Sequence, residues 1–423
     1  MSSLRGRQTP LTAPQNEPQM IRPPLSQYVT DQAALESLCH TLRESPRLAL
    51  DTEFVGEDTF VPRLELIQVA STTAAAVIDF PAVQASGSLH VFWDLICDAK
   101  IEKVVHAGRQ DLDLFAFHAG QIPKPFFDTQ IAAAMVGYGA QVAYANLVQR
   151  LHGRKLAKAH TFTNWSARPL SDDQIAYALE DVEFLLPIHR HLQDRLSTLG
   201  RLEWVSEEFA RLETVVGEKS REPQERYRRI RGWDTLKPKG AAVLRELAAW
   251  RETEACRRNV PRGRVMRDEV LLQLARHPPK SVSDLRGLRG VHSSEIDRHG
   301  GQILATITSA LALPSSAWPD VPGERKPDPE STGIVELLQA VLKARAAEEG
   351  IAPTMLATST DLQTLVEAKQ NRAALNVPIL HGWRRQLVGD LLVQVLEGVV
   401  TISVDRTSGT IQMAVGHPSN TAN

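Results

Sequence analysis

The residues best placed to do chemistry in this 423-residue chain are two acids set one residue apart in an apolar run, Leu48-Ala49-Leu50-Asp51-Thr52-Glu53-Phe54-Val55. A β-strand sends residues i and i+2 to one face, so Asp51 and Glu53 are expected side by side in a strand that otherwise reads as buried. Burying like charges costs on the order of several kcal/mol per ion unless something cationic lies between them, and a divalent metal is the simplest candidate. The same Asp-x-Glu spacing recurs at Asp181/Glu183 and Asp328/Glu330. Only the first pair sits inside an apolar strand, and the third lies in a proline-rich loop.

Two further segments could complete such a site. Val104-Val105-His106-Ala107-Gly108-Arg109-Gln110-Asp111 reads as strand, turn and helix start. Asp111 then falls in a first helical turn, where free N–H groups and the helix dipole favour a carboxylate. In the helix expected from Ser171 to Leu196, Tyr177 and Asp181 stand at i and i+4 on one face. That face also carries Phe184 and Leu185 and so points inward, where an acid needs a partner. Glu180 and Glu183 fall off the stripe and read as solvated. Together Asp51, Glu53, Asp111 and Asp181, with Tyr177 beside the last, make an oxygen-only donor set suited to hard cations such as Mg2+ or Mn2+ rather than zinc. Two such ions in a carboxylate site are apparatus for in-line phosphoryl displacement. The lone histidines His106 and His160 read as hydrogen-bonded structural residues, not ligands.

The elements that must hold these groups follow from length and patterning. Hydrophobic content of 43% and charged content of 23% are those of a soluble globular protein, and the length implies two or three domains. A net charge of -2 gives no global nucleic-acid signature, yet residues 219 to 267 carry 15 Lys/Arg against 6 Asp/Glu. Cys39, Cys97 and Cys256 lack the spacing of a zinc site or disulfide framework. No window approaches the roughly 20 apolar residues of a membrane span, and the first 24 residues lack the apolar core of a signal peptide. A cytoplasmic protein is expected. Strands at Arg47 to Val55, Arg63 to Ala70, Ala74 to Phe80 and Lys103 to Ala107 suggest an antiparallel meander that continues into an α/β sheet with helices packed on it. The expected organisation is a disordered arm (1–27), an α/β domain (28–215), a helical domain (222–313), a Pro-rich linker (314–332), a second helical module (333–405) and a loose tail (406–423).

In order, Leu50–Val55, His106 through Asp111 to Phe115, and Tyr177–Asp181 resemble the three exonuclease motifs of the DEDD superfamily, in its tyrosine-bearing branch, and within it the ribonuclease D family. Pro62–Gln68, Phe127-Asp128-Thr129-Gln130 and Asn164–Leu170 match supporting segments, although the family usually carries Asp where Asn164 stands. Asp128 is expected to be structural. Leu247 to Leu311 resembles the helicase-and-ribonuclease-D C-terminal domain, and the last module, with Leu380–Arg384 and Gly389, a more divergent copy. The resemblance implies a ribonuclease-H-like α/β catalytic domain, a mixed sheet flanked by helices, followed by two small all-α helical bundles. It implies a 3′→5′ exoribonuclease releasing nucleoside 5′-monophosphates, with Asp51 bridging two Mg2+ or Mn2+ ions. Glu53 and Asp181 would complete one ion's ligands, Asp111 would support the other, and Tyr177 would orient the attacking water. It suggests RNA with a free 3′ end, such as a tRNA precursor, as substrate for a monomer that needs no organic cofactor or membrane. Arg226, Arg228, Arg229, Arg231, Arg257, Arg258, Arg262, Arg264 and Arg267 would contact phosphates without reading sequence. A 3′→5′ DNA exonuclease using the same carboxylates and a non-catalytic RNA-binding scaffold are the alternatives.

Overall fold

The computed structural model describes residues 25–56, 58–156, 163–216, 223–287, 290, 293–321, 329–370 and 377–415. His160, Asp328, the arm up to residue 24 and linker residues 322–328 lie outside them. Leu48, Ala49 and Leu50 are buried on both faces of their strand, which sets it inside a six-stranded sheet. The strands are β1 (Leu25–Val29), β2 (Arg47–Val55), β3 (Arg63–Ala70), β4 (Ala74–Asp79), β5 (Glu102–Val105) and β6 (Phe126–Asp128), in the order β1-β4-β3-β2-β5-β6. Pairs β1/β4, β2/β5 and β5/β6 are parallel, and β3/β4 is antiparallel. The mixed sheet is as expected from the sequence. β1 and β6 were not foreseen, and β1 takes into the sheet residues assigned to the disordered arm.

Helices α1 (Gln32–Leu42), α2 (Phe80–Ser86), α3 (His90–Cys97), α4 (Arg109–Ala119), α5 (Thr129–Met135), α6 (Tyr144–His152), α7 (Asp172–Glu183), α8 (Leu185–Thr198) and α9 (Leu202–Val215) flank the sheet. Ala178 and Val182 of α7 and Leu185 of α8 cover Leu66, Val77, Ala49, Ala70 and Val104 on one sheet face. The single helix expected over Ser171 to Leu196 is broken at Phe184. There the Tyr144 hydroxyl donates to Glu180 O at 3.0 Å and accepts from Phe184 N at 3.1 Å, satisfying backbone groups that the break frees.

Two compact units divide the chain: Phe54–Glu65 with Thr214–Pro329 in one, the remainder in the other. The first of these holds α10 (Pro238–Arg258), α11 (Arg262–Val265), α12 (Asp268–Arg276), α13 (Val282–Arg286) and α14 (Ser293–Leu311) around Leu244, Leu247, Leu271 and Ile303. The last module, α15 (Pro329–Glu349), α16 (Pro353–Leu356), α17 (Ser359–Gln370) and the helix Asp390–Leu396, shares a core with the α/β sheet's own helices. Leu338, Leu365, Val388 and Trp383 pack in one cluster with Ile188, Leu192 and Val205. Gly389 permits this packing, because a Cβ there would stand 2.2 Å from Ile379 O.

This module is not all-α, and residues 406–415, expected to be loose tail, belong to a hairpin. β7 (Val400–Val404) pairs antiparallel with β8 (Ile411–Val415). Asp405 Oδ1 closes the hairpin by accepting from the N–H groups of Thr407 and Ser408. Alternation in Val400-Thr-Ile-Ser-Val, followed by an Asp-led turn, was the available signal.

Candidate active site

Strand alternation sends Asp51 and Glu53 to the α7 face of β2, where their neighbour Ala49 already packs. Both are half-buried. Asp111 enters from the first turn of α4 and is 8% exposed. The turn before it needs Gly108, since a Cβ at that position would lie 2.5 Å from the Val105 side chain. Asp128 fixes the same turn by accepting from Ala107 N, Gly108 N and Gln130 N at 3.1, 3.0 and 2.8 Å, the structural role expected of it. Asp181 and Tyr177 descend from α7, whose start is locked by a Ser171/Gln174 capping box.

Electrostatics ties these five groups to one locus. Burial, then the charges of Asp111, Asp181 and Glu53, holds the Asp51 carboxyl well above the carboxylate range. Burial with Asp181 and Asp111 pushes Glu53 up to about 8. Asp181 rises to about 7 through burial and Glu180, and burial lifts Asp111 to about 6 against a hydrogen bond from the Thr52 hydroxyl. The Tyr177 phenol is raised by burial and by Asp181, Glu53 and Asp51, so it keeps its proton at neutral pH. Among the described residues, burial and neighbouring acids lead these rises.

The donor set fits hard divalent cations: four carboxylates crowd one another, and their own repulsion is what a cation would relieve. Among the described residues no three His, Cys, Asp or Glu groups are already gathered as a metal cage. The Thr52 hydroxyl donates to Asp111 Oδ1. His106 is no ligand, as expected. Its Nε2 donates to Val142 O at 3.0 Å, its Nδ1 lies 2.9 Å from Thr129 Oγ1, and burial lowers its pKa. Glu180 and Glu183, expected to be solvated, instead pair with Arg154 at 3.0 and 3.7 Å. The break at Phe184 and the approach of Arg154 bring them inward.

Sequence reasoning missed a latch behind Tyr177. The Tyr177 ring stacks on Trp165, centroids 6.1 Å apart, and Arg168 donates to Trp165 O at 2.6 Å. Arg168 grips buried Asp79 with both Nε and Nη2, and the Tyr28 hydroxyl donates to the same carboxylate. Asp79 also caps α2, and that plain N-cap is all its local sequence signals. Asn164 Oδ1 accepts from Ser166 N at 3.1 Å, a bond that Asp would make equally well.

Comparison with known proteins agrees with this geometry. Residues 26–197 match the 3′-5′ exonuclease family and residues 240–307 the HRDC domain. Ribonuclease D of Granulibacter bethesdensis is 39% identical over 389 residues, covering 90% of this chain and 95% of that protein. Ribonuclease D of Pseudomonas paraeruginosa is 37% identical over 376 residues, 88% of this chain and 98% of that one. The chain belongs to the ribonuclease D family.

Escherichia coli RNase D, an exoribonuclease involved in structured RNA processing, superposes with a TM-score of 0.78 at 31% identity, covering 88% of this chain and 99% of its own. A Bifidobacterium adolescentis protein, 21% identical with a TM-score of 0.59, shares the fold. As a ribonuclease D family member the chain is a 3′→5′ exoribonuclease, and no helix among the described residues is long and apolar enough to cross a membrane.

The arginines expected to contact RNA divide into two groups. Arg226 and Arg262 share buried Glu252, Arg228 pairs with Glu225, Arg257 with Glu254, Arg258 with Glu295 and Arg264 with Asp58. Arg262 also lies over the Phe60 ring, 4.4 Å from its centroid. Arg229, Arg231 and Arg267 are exposed and have no acidic partner among the described residues. Arg226, Arg229, Arg262 and Arg267 line a cleft of about 370 Å³.

Proposed function

We propose that this exoribonuclease hydrolyses the 3′-terminal phosphodiester of RNA with two divalent cations, Mg2+ or Mn2+, held by Asp51, Glu53, Asp111 and Asp181, and releases nucleoside 5′-monophosphates. The observation that carries this reading is the uncompensated negative charge of those four groups, each with its carboxyl pushed upward. When bound, the ions lower the pKa of the attacking water and neutralise charge developing on the phosphate. Tyr177 stays protonated and orients that water by hydrogen bond, its ring held by Trp165. A phenol so reluctant to ionise is a poor general base. Arg229, Arg231 and Arg267 meet RNA phosphates without sequence preference. Precursor tRNA 3′ ends are the proposed substrate of a cytoplasmic monomer.

The test is digestion of a 3′-labelled RNA with Mg2+ or Mn2+ present. Wild type should release labelled mononucleotide, whereas Asp51→Asn should bind the RNA and release none. Full activity of Asp51→Asn would sink the site assignment.

A further inference from the structure

Gln68 on β3 is 0% exposed, yet neither its Nε2 nor its Oε1 has a hydrogen-bond partner among the described residues. An amide left unsatisfied in the interior costs about 1–3 kcal/mol. A leucine or methionine would avoid that cost, and the adjacent Leu66, Ile67 and Val69 are all apolar. What could satisfy the amide follows from the layer it occupies. Leu66 and Ala70, two residues to either side, and Val77, its antiparallel partner on β4, all face Ala178 or Val182 of α7. Ala49 on the adjoining strand β2 belongs to the same layer, and alternation continues that face through Asp51 and Glu53. Gln68 therefore stands on the strand beside the two acids, beneath the helix that bears Tyr177 and Asp181. Ala49, Leu66, Ala70, Ala75 and Val77 of this layer carry no polar side chain, and its polar members Tyr28 and Asp79 are bonded to each other and to Arg168.

We propose that Gln68 is a positioning residue for the candidate metal site: its Nε2–H donates to the Asp51 carboxylate when that carboxylate takes up a divalent cation. This inference rests on the cation-binding reading of Asp51. A donor of this kind fixes the orientation of a ligand oxygen and frees its other lone pairs for the ion, and losing such a partner typically lowers metal affinity about 10–100-fold.

Calorimetric titration of Mn2+ into metal-free full-length protein tests the assignment, with Gln68→Met and Gln68→Leu as two different apolar packings and Asp51→Asn as reference. Both Gln68 variants should bind Mn2+ about 10–100-fold more weakly. Their metal-free melting temperatures should equal or exceed wild type, because an unsatisfied amide is gone. Saturating Mn2+ should restore most of the lost hydrolysis rate. Unchanged Mn2+ affinity in either apolar variant, with affinity lost in Asp51→Asn, overturns the role of Gln68 and leaves the metal site standing. Unchanged affinity in Asp51→Asn as well overturns both. A lower metal-free melting temperature with unchanged Mn2+ affinity marks a purely structural amide and equally overturns the proposal.

Discussion

Buried acid is handled in opposite ways at two places in the same compact unit. At Glu208 on α9 burial pushes the carboxyl upward, but Arg384 grips it with both guanidinium ends and the Trp383 indole N–H donates to it at 3.0 Å. The net result is a pKa below the usual carboxylate range. At Asp51, Glu53, Asp111 and Asp181 burial pushes the same way, no guanidinium answers, and neighbouring acids add to the rise. The first cluster is complete and joins the last helical module to α9. The second has no such partner among the described residues, which marks it as a place for something brought from outside.

Perturbing each cluster should separate the two behaviours. Asp51→Asn is expected to cost at least about 10³-fold in hydrolysis rate, more than removal of one oxyanion donor, while raising the melting temperature of the metal-free protein. A lower melting temperature would place this cluster with the structural one. Arg384→Ala should do the reverse. Leaving buried Glu208 with only the Trp383 indole N–H and the exposed Arg211 at 3.5 Å costs about 3 kcal/mol in denaturant unfolding, the low end for breaking a buried pair, with hydrolysis per folded molecule unchanged. Tyr177→Phe should slow single-turnover hydrolysis by about 10²-fold, in the range of a lost proton-handling group, and leave RNA affinity within about twofold in a filter-binding assay.

The pH profile of stability carries the same contrast with the signs worked out. Folded-state pKa values raised to about 6, 7 and 8 at Asp111, Asp181 and Glu53 mean stability that is present in acid and lost as pH rises through 6 to 8. The depressed Glu208 pKa means stability present at neutral pH and lost as pH falls through the acid range. Metal-free melts should therefore fall on the alkaline side, Asp51→Asn should flatten that limb, and Mg2+ should raise the melting temperature more at pH 8 than at pH 6. The smallest effect is expected in the helical unit. Replacing Arg229, Arg231 and Arg267 by Ala should make log affinity for RNA less steep against log salt, by roughly one unit of slope for each phosphate left without its arginine. Replacing Arg257 and Arg258, which are occupied by Glu254 and Glu295, should change it little.

The carboxylates were legible in the sequence because each had a local signature: alternation for Asp51 and Glu53, a first helical turn for Asp111, an i, i+4 face for Asp181 with Tyr177. What supports them was not. Asp79, Arg168, Tyr28 and Tyr144 act through partners more than 30 residues away, and a cap or an aromatic in a helix is all their local sequence signals. In the arginine cluster the acidic partners were not legible for the same reason, since composition counts charges but not the acids folded against them. Domain limits suffered most. The last module read as a separate helical arm, yet its Leu338, Leu365 and Trp383 share a core with Ile188 and Val205. Cutting the chain after Glu218 would therefore open that core.

Proton release on cation uptake tests the central claim most directly. Carboxyls held at about 7 and 8 are partly protonated at pH 7, and cation binding must displace those protons. Titrating Mn2+ into the metal-free protein in two buffers of different ionisation enthalpy measures both ions bound and protons released. The account predicts two ions per chain with net proton release, both lost in Asp51→Asn. Uptake without proton release, or undiminished in Asp51→Asn, would contradict it.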